Sequence, residues 1–270
     1  MKQSQAKKHD NTMTNKILMR LIALVLGLLF LEILIIHSKN EQQKSVSNQV
    51  QTARIMANGD LLYHDGLYMS ALQADGSYDF TENFTYVKPW LKQADLVLGD
   101  FEGTINPDYP LSGYPLFNAP QSVTAAISDA GYDVMDLAHN HILDSGLEGA
   151  FTTADAFKEV GIDPVGVYEN PVRDKAPLFI KNVNGIKVAI LSYAYGFNGL
   201  ESNLTEKEIA NHLWNLDEKR MKVEIERAEK EADVTVIMPQ MCVEYRLEPT
   251  DEQVKLYHKM IDWGADIIFG

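Results

Sequence analysis

The sequence contains the segment Asp136-Leu137-Ala138-His139-Asn140-His141-Ile142-Leu143-Asp144-Ser145-Gly146. Three consecutive side chains with ligand atoms, at positions 139–141, follow a short apolar run. Asp144 and Gly146 then turn the chain into a predicted helix that ends before Gly161. Polar side chains at the carboxyl end of a buried strand are where α/β proteins place their chemistry. The segment therefore predicts one edge of a functional site.

Short apolar runs alternate with helical patterns on both sides of this segment. The apolar runs predict strands at 53–57, 95–100, 133–138, 162–167, 186–192, 234–238 and 265–269. The 3.6-residue periods predict helices at 84–94, 121–130, 146–160, 216–232 and 250–264. Asn184-Gly185 suits a type I′ turn and predicts a hairpin between 176–183 and 186–192. The pattern predicts an α/β fold with a mixed sheet, and it predicts loops at 61–78 and 198–212.

Polar groups stand at the end of nearly every predicted strand. They are Asn58 and Asp60, Asp100 and Glu102, His139 to His141, Tyr193 and Tyr195, and Gln240. If the strands share a sheet, these groups emerge at its carboxyl edge. Carboxylates, an amide and imidazoles together suit Mn²⁺, Fe²⁺ or Zn²⁺. Such an ion lowers the pKa of a bound water and makes it a nucleophile.

Each of these positions also has an ordinary structural interpretation. Asp60 suits a turn or a helix N-cap, and Glu102 suits a solvated surface. Asn140 suits a helix cap, and His141 suits a hydrogen-bonded core histidine. Tyr193 suits packing or the wall of a pocket. The recurrence of polar groups at separate strand ends, rather than any single residue, favours a site.

Composition limits the possible partners. The net charge of −14 argues against nucleic acid, because a phosphate backbone needs Lys and Arg for neutralisation. The single cysteine, Cys242, excludes an internal disulfide framework.

The N-terminal region resembles a membrane anchor. Residues 21–36 are almost wholly apolar, and 17–19 extend the run toward the roughly 20 residues that a span needs. Lysines precede the run, so the positive-inside rule predicts a cytoplasmic tail at 1–16, an anchor at 17–37 and a stalk at 38–52. The main domain, 53–270, would then be extracellular on a single-pass cell-membrane protein. A cleaved signal peptide is the competing interpretation.

Six segments, in order along the chain, resemble one known family. They are 58–60 (Asn-Gly-Asp), 94–104, 117–120, 137–146, 239–245 and 261–270. The family is the CapA/PgsA group of poly-γ-glutamate capsule biosynthesis proteins, which is similar to calcineurin-like metallophosphoesterases. The resemblance covers the chain from about residue 53 to its end.

The resemblance implies a fold and a set of site residues. The fold is a four-layer α/β/β/α sandwich of metallophosphoesterase type around one or two divalent ions (Mn, Fe or Zn). Asp60, Glu102 and Asn140 would be metal ligands. His141 would be a ligand or the general acid near the leaving group. Further candidates for the lining of the site are Asp100, His139, Tyr193 and Gln240.

Three positions depart from the family pattern. Asp100 and His139 replace family asparagines, and Gln240 stands where the family has a histidine. A glutamine is a poor substitute for an imidazole ligand, which predicts that one metal is weakly held or absent. A family Gly-His-x-x-His segment would begin at Gly270, so the chain is expected to be incomplete at its C-terminus.

These observations give three hypotheses about function. The first is a membrane-anchored, extracytoplasmic capsule protein with metal-dependent hydrolase chemistry on an anionic polymer or a phosphoester, working beside other capsule-synthesis membrane proteins. The second is a non-catalytic scaffold or polymer-binding subunit, motivated by Gln240. The third is a general metallophosphoesterase, which rests on fold analogy alone.

Overall fold

The computed structural model describes residues 19, 24–39, 50–241, 243 and 245–270. The chain divides into two compact units, Met1–Gln51 and Thr52–Gly270. In the first unit, residues 24–39 are helical and their side chains are exposed. In the described parts of the chain, no helix combines the length and apolarity that a membrane span requires. The predicted tail at 1–16 lies outside the described residues, as do Cys242 and parts of the predicted anchor and stalk.

The described residues of the second unit form eight strands in two four-stranded sheets. The strands are β1 (Ile55–Asp60), β2 (Leu96–Asp100), β3 (Val134–Asp136), β4 (Asp163–Val165), β5 (Ile180–Val183), β6 (Ile186–Ala194), β7 (Val234–Gln240) and β8 (Ile267–Ile268). The first sheet has the order β1-β2-β3-β4 and is parallel throughout. The second has the order β5-β6-β7-β8, with only the β5–β6 pair antiparallel.

Seven α-helices connect or flank these strands among the described residues of this unit. They are α1 (Asp65–Ala71), α2 (Lys88–Leu91), α3 (Ser122–Ala130), α4 (Gly146–Glu159), α5 (Glu206–His212), α6 (Glu218–Glu231) and α7 (Asp251–Asp262). The mixed α/β architecture with two sheets is the class that the sequence predicts.

The two sheets meet through an aliphatic cluster that draws on both. Leu96 and Leu98 of β2 pack in the same cluster as Val188 and Ile190 of β6. The intervening residue, Val97, belongs instead to the larger core that includes the helices. Because strand side chains alternate between faces, each sheet buries one face on the other sheet and one face on helices. This packing fixes the strand ends of both sheets relative to each other.

Several predicted elements are confirmed in detail. β5 and β6 form the predicted hairpin, and Asn184 and Gly185 take the positive φ angles of 54° and 90° that a type I′ turn requires. Thr250 caps α7, where its hydroxyl accepts a hydrogen bond from the backbone N–H of Gln253.

Two predicted loops contain helices. In α1 only Tyr68 and Ala71 are buried, so its seven residues show too little periodicity to be recognised in the sequence. α5 has no buried residue and depends instead on the Thr205/Glu208 capping box. The helix predicted at 84–94 is reduced to α2, with Pro89 in its first turn. Two buried side chains in α1, the capping box of α5 and the position of Pro89 in α2 each account for one of these differences.

A buried ion pair joins α6 to Arg173, which lies between β4 and β5. Arg173 donates to Glu224 from Nε (2.9 Å) and Nη2 (2.6 Å), and its guanidinium lies 5.4 Å from the centre of the Trp214 ring. Tyr193 Oη also donates to Glu224, at 3.0 Å. The arrangement uses almost every hydrogen-bonding position of the carboxylate.

Replacing Arg173 with Met is expected to lower the free energy of unfolding by about 3 kcal/mol, because the Glu224 charge is left without its partner. Urea denaturation would measure the loss. The matched control is Arg227→Met, which removes an exposed pair with Glu231 on the same helix and should cost under about 1 kcal/mol. Equal losses in the two variants would contradict this account of the pair.

Candidate functional site: a carboxylate row beside an oriented histidine

Three aspartates form a row across neighbouring strands of the first sheet. Asp60 of β1 is in register with Asp100 of β2, and Asp100 is in register with Asp136 of β3. Parallel strands in register bring equivalent side chains to the same edge of the sheet. Glu102 lies two residues beyond Asp100 and is buried beside the row. Four carboxylates therefore gather where the sequence predicts two metal ligands and one candidate lining residue.

Burial and neighbouring charge both disfavour ionisation within the carboxylate row. Burial raises the pKa of Asp100 well above its usual range, and the charges of Asp136, Asp60 and Glu102 raise it further. Burial also raises the pKa of Asp136 to about 7, although hydrogen bonds from Ser192 and the backbone of Ala138 act in the opposite direction. Negative charge is thus concentrated in a poorly solvated place, which is the condition that a bound cation relieves.

Asp136 was not among the site residues expected from the sequence. The predicted strand continues to residue 138 and places Asp136 in its interior, whereas β3 ends at Asp136. The Asp136 Oδ1 accepts hydrogen bonds from the Ala138 N–H, at 2.7 Å, and from the hydroxyl of Ser192. Because Ser192 belongs to β6, this contact joins the two sheets directly beneath the row. The available sequence signal was the recurrence of Asp at successive strand ends.

His141 is held by its neighbours in a defined orientation. Its Nδ1 lies 2.7 Å from Asp144 Oδ2, and the same oxygen accepts a 2.6 Å hydrogen bond from the Phe117 N–H. The Phe117 ring packs edge-on against the imidazole, with 4.7 Å between ring centres. The other nitrogen, Nε2, lies 3.8 Å from Glu102 Oε1. Asp144 therefore binds Nδ1 of the imidazole and leaves Nε2 directed toward the carboxylates.

Asn140 is fixed by two other amides. Its backbone N–H donates to Gln240 Oε1 at 2.7 Å, and Gln240 Nε2 donates to Asn140 Oδ1 at 2.9 Å. Asn140 Nδ2 donates to Asn198 Oδ1 at 3.1 Å. The Asn140 oxygen still has a second lone pair for a ligand. Gln240 thus reaches the site through a reciprocal pair with Asn140.

Two candidate lining residues lie elsewhere. His139 is fully buried, and burial, together with the nearby His141, lowers its pKa to about 3. Its Nδ1 accepts a hydrogen bond from the His141 N–H at 3.2 Å, so it supports the loop as a neutral side chain. Tyr193 is also fully buried, stacked on Trp214 with 5.3 Å between ring centres. Neither lines the cavity, because the loop after β3 turns His139 inward and the strand alternation of β6 turns Tyr193 into the core.

The remaining expected residues line one cavity of about 890 Å³. Asp60, Asp100, Glu102, Asn140, His141 and Gln240 all lie on its walls. The other polar residues of the wall are Asn58, which also follows a predicted strand, and Asp136, His64, Tyr114 and Tyr245, which the sequence did not single out as site residues. A cavity of this size, lined by carboxylates and two imidazoles, is large enough for a small anionic group with part of a longer chain.

The donor chemistry of this cavity fits a divalent cation. Asp100 Oδ1 is buried and makes no hydrogen bond to any described residue. Carboxylate oxygens with an amide oxygen are a suitable donor set for a hard or borderline ion. In the described part of the chain, no three His, Cys, Asp or Glu side chains already converge as ligands. The cavity therefore fits a divalent cation by the type of its ligand atoms, and ion binding would draw the carboxylates of the row together.

In the hydrolase proposed below, Asp144→Asn is expected to lower turnover about 10- to 100-fold, because the amide cannot stabilise a charged imidazole or enforce its ring orientation as the carboxylate does. Steady-state kinetics would measure the loss. Asp155→Asn, at an exposed position of α4, is the control and should retain wild-type turnover. Unchanged turnover in Asp144→Asn would show that His141 does not depend on this carboxylate.

Comparison with known families covers nearly all of the second unit. The model of the bacterial capsule synthesis protein family PGA_cap matches residues 54–270. The chain belongs to this family. Its relatives include the capsule biosynthesis protein CapA of Bacillus anthracis, which is 32% identical over 69% of this chain and 47% of its own length. The PGA biosynthesis protein CapA of Bacillus subtilis (strain 168) is 27% identical over 97% of this chain and 68% of its own length. The chain thus spans about half to two thirds of these PGA_cap relatives.

A solved structure shares the fold. It is a protein from Staphylococcus aureus described as a candidate 5′-nucleotidase, in complex with α-ketoglutarate. The TM-score is 0.50 with 14% identity, and the match covers 80% of this chain and 44% of the other. The expected relation of this PGA_cap member to the metallophosphoesterase fold is confirmed, and so is the resemblance to the CapA group.

Proposed function

We propose that this capsule-synthesis family member is a metal-dependent hydrolase that cleaves a bond in an anionic polymer or a phosphoester. The observation that carries the proposal is the row Asp60–Asp100–Asp136 next to an imidazole whose orientation Asp144 sets. The described residues that line the cavity include no Lys or Arg, so a cation would offset the charge of these carboxylates. A histidine with one nitrogen anchored has the other available for proton transfer.

The proposal extends to the architecture and the location. The two packed sheets would be completed as a four-layer α/β/β/α sandwich of metallophosphoesterase type. The apolar N-terminal run at 17–37 would hold the domain to the cell membrane, with residues 1–16 in the cytoplasm. The domain would then meet its polymer, and other capsule-synthesis membrane proteins, outside the cell. The exposed apolar side chains of the helix at 24–39 support this part of the proposal.

The residues have distinct parts in the proposed reaction. Asp60, Glu102 and Asn140 would hold one or two ions, Mn, Fe or Zn, with Asp100 and Asp136 close by. When bound, the metal supplies Lewis acidity toward the scissile group and lowers the pKa of water. His141 would donate a proton from Nε2 to the leaving group while Asp144 stabilises the imidazolium. Gln240 holds Asn140 in place through both amide atoms.

Hydrolysis of simple phosphomonoester and phosphodiester probes, and of poly-γ-glutamate, tests this proposal. Each assay would use the chain loaded with Mn²⁺, Fe²⁺ or Zn²⁺. The wild type is expected to turn over at least one probe, and Asp60→Ala is expected to lose that activity by about 100-fold or more, as for loss of a ligand. Asp155→Ala serves as the control for loss of surface charge. A metal-loaded wild type that hydrolyses none of the probes would contradict the proposed hydrolase activity.

A scaffold is the second candidate function, and the Gln240–Asn140 pair favours it. Both amide atoms of Gln240 are hydrogen-bonded to Asn140, so Gln240 does not present a ligand atom toward the cavity. A non-catalytic subunit would keep the fold and bind the polymer without cleaving it. Cells carrying Asn140→Ala together with His141→Ala distinguish the two, because normal polymer retention and export in that strain would favour the scaffold.

A further inference from the structure

Asn198 has a backbone conformation that only three non-glycine residues adopt in the described part of the chain. They are Asn184, Asn198 and Tyr245, with φ angles of 54°, 54° and 62°. The left-handed region costs a non-glycine residue about 1 kcal/mol or more. For Asn184 the hairpin turn explains the conformation. Asn198 lies in the loop after β6, where the Leu200 N–H donates to the Phe197 carbonyl at 2.9 Å, so Asn198 and Gly199 form a second turn with positive φ at both central residues.

The neighbours of Asn198 fix the position of its side chain. Phe197, immediately before it, is buried in the core, and Gly199 follows with a φ of 81°. The loop is thus anchored on one side and turned back on the other. Asn198 itself is exposed, so burial does not explain why it is held in place. Its side chain is directed toward Asn140 and His141.

Two site residues contact the Asn198 carboxamide. Its Oδ1 accepts a 3.1 Å hydrogen bond from Asn140 Nδ2, and its Nδ2 lies 3.4 Å from both ring nitrogens of His141. Equal distances place the amide against the ring rather than on one nitrogen. Nδ1 is already bound to Asp144, so this contact restrains the tilt of the ring and leaves Nε2 available. One side chain therefore bridges the proposed ligand and the proposed proton donor.

Gln240, Asn140 and Asn198 form a chain of hydrogen-bonded side-chain amides, and Asn198 is its last member. Gln240 holds the oxygen of the Asn140 side chain and Asn198 holds its nitrogen, which leaves the group a single orientation. The contacts come from β7 and from the loop after β6, so the second sheet sets the geometry of groups that follow β3 in the first sheet.

We infer that Asn198 is a positioning residue that fixes Asn140 and His141 relative to each other. This inference rests on the proposed function, since it assigns roles to these two residues. Loss of the bridge would leave the Asn140 amide and the imidazole free to reorient. The expected cost is about 10-fold in turnover and in cation affinity, as for other residues that support a ligand.

Asn198→Gly tests the inference, because glycine adopts the same backbone without strain and lacks only the side chain. Asn184→Gly is the matched control, with the same starting φ and no contact with the site. Both variants are expected to keep or slightly raise the melting temperature. Asn198→Gly alone should lower kcat about 10-fold with KM within about 2-fold, and should shift the NMR resonances of the Asn140 side-chain amide and the His141 ring.

Two results would overturn the inference. The first is wild-type kcat and unshifted Asn140 and His141 resonances in Asn198→Gly. The second is a fall in melting temperature that accompanies any loss of activity, which would make Asn198 a structural anchor. If the wild type shows no turnover on any probe, the proposed function fails, and the two resonances together with Mn²⁺ affinity still decide the role of Asn198.

Discussion

Asp100→Asn is expected to stabilise the metal-free protein and, at the same time, to weaken its binding of divalent cations. The Asp100 carboxylate is buried, lacks a hydrogen bond on Oδ1 within the described chain, and is repelled by Asp136, Asp60 and Glu102. Asparagine has the same shape without the charge. The variant should therefore relieve the strain that the carboxylate row imposes and remove one of the groups that a cation would neutralise.

The direction of the pH dependence follows from the raised pKa of Asp100. An unfolded aspartate titrates near pH 4, whereas the folded group holds its proton to higher pH. The folded chain then binds more protons than the unfolded chain above about pH 4, so its stability falls as pH rises through this range. Each unit of raised pKa corresponds to roughly 1.4 kcal/mol. Asp100→Asn removes this loss and should stabilise the metal-free protein more at pH 8 than at pH 4.

Urea denaturation of the metal-free protein at pH 4 and pH 8 would measure the gain in stability. Calorimetric titration with Mn²⁺ would measure the loss of cation affinity. Affinity for Mn²⁺ is expected to fall about 100-fold or more in Asp100→Asn. Asp155→Asn, which is exposed on α4, should change neither quantity. A variant that is less stable at pH 8, or that binds Mn²⁺ as the wild type does, would show that the row is not a cation site.

His141→Gln is expected to lower turnover by about 100- to 10,000-fold, the range for loss of a general acid. Bound metal should remain near the wild-type level, since Asp60, Glu102 and Asn140 are intact. Glutamine fills much of the same volume against Phe117 but cannot deliver a proton at neutral pH. Turnover, melting temperature and metal content would be measured on the same preparation.

The control for this substitution is His258→Gln, because His258 is exposed on α7 and away from the carboxylate row. It should keep wild-type turnover. If His141→Gln loses its metal together with its activity, His141 is a ligand rather than an acid. If turnover stays within about 2-fold of wild type, far short of the range for a general acid, His141 has no catalytic part.

The alternation of apolar strand patterns with helical patterns along the chain was enough to predict the fold class. The polar residues at the predicted strand ends predicted most of the polar residues that line the cavity. Asp60, Asp100, Glu102, Asn140, His141 and Gln240 line the same cavity as a consequence of parallel strands ending at one edge. His139 could not be separated from its neighbours by type, because only the loop geometry decides which of three adjacent polar side chains turns inward.

Other features depend on contacts that a linear pattern does not contain. Asp136 becomes part of the row because β3 stops there, and a hydrogen bond from Ser192 in the other sheet fixes it. Asn198 follows β6 and meets Asn140 and His141 only after the sheets have packed. α5 depends on a capping box rather than on burial. Long-range packing and local caps therefore account for most of what the apolar pattern missed.

Elemental analysis of the chain after equilibrium dialysis against Mn²⁺, Fe²⁺ or Zn²⁺ tests the central claim most directly. The carboxylate row predicts at least one tightly held ion per chain in the wild type, and loss of that ion in Asp60→Ala with no loss in Asp155→Ala. A wild-type chain that retains no ion, or an Asp60→Ala chain that retains as much as the wild type, would contradict it.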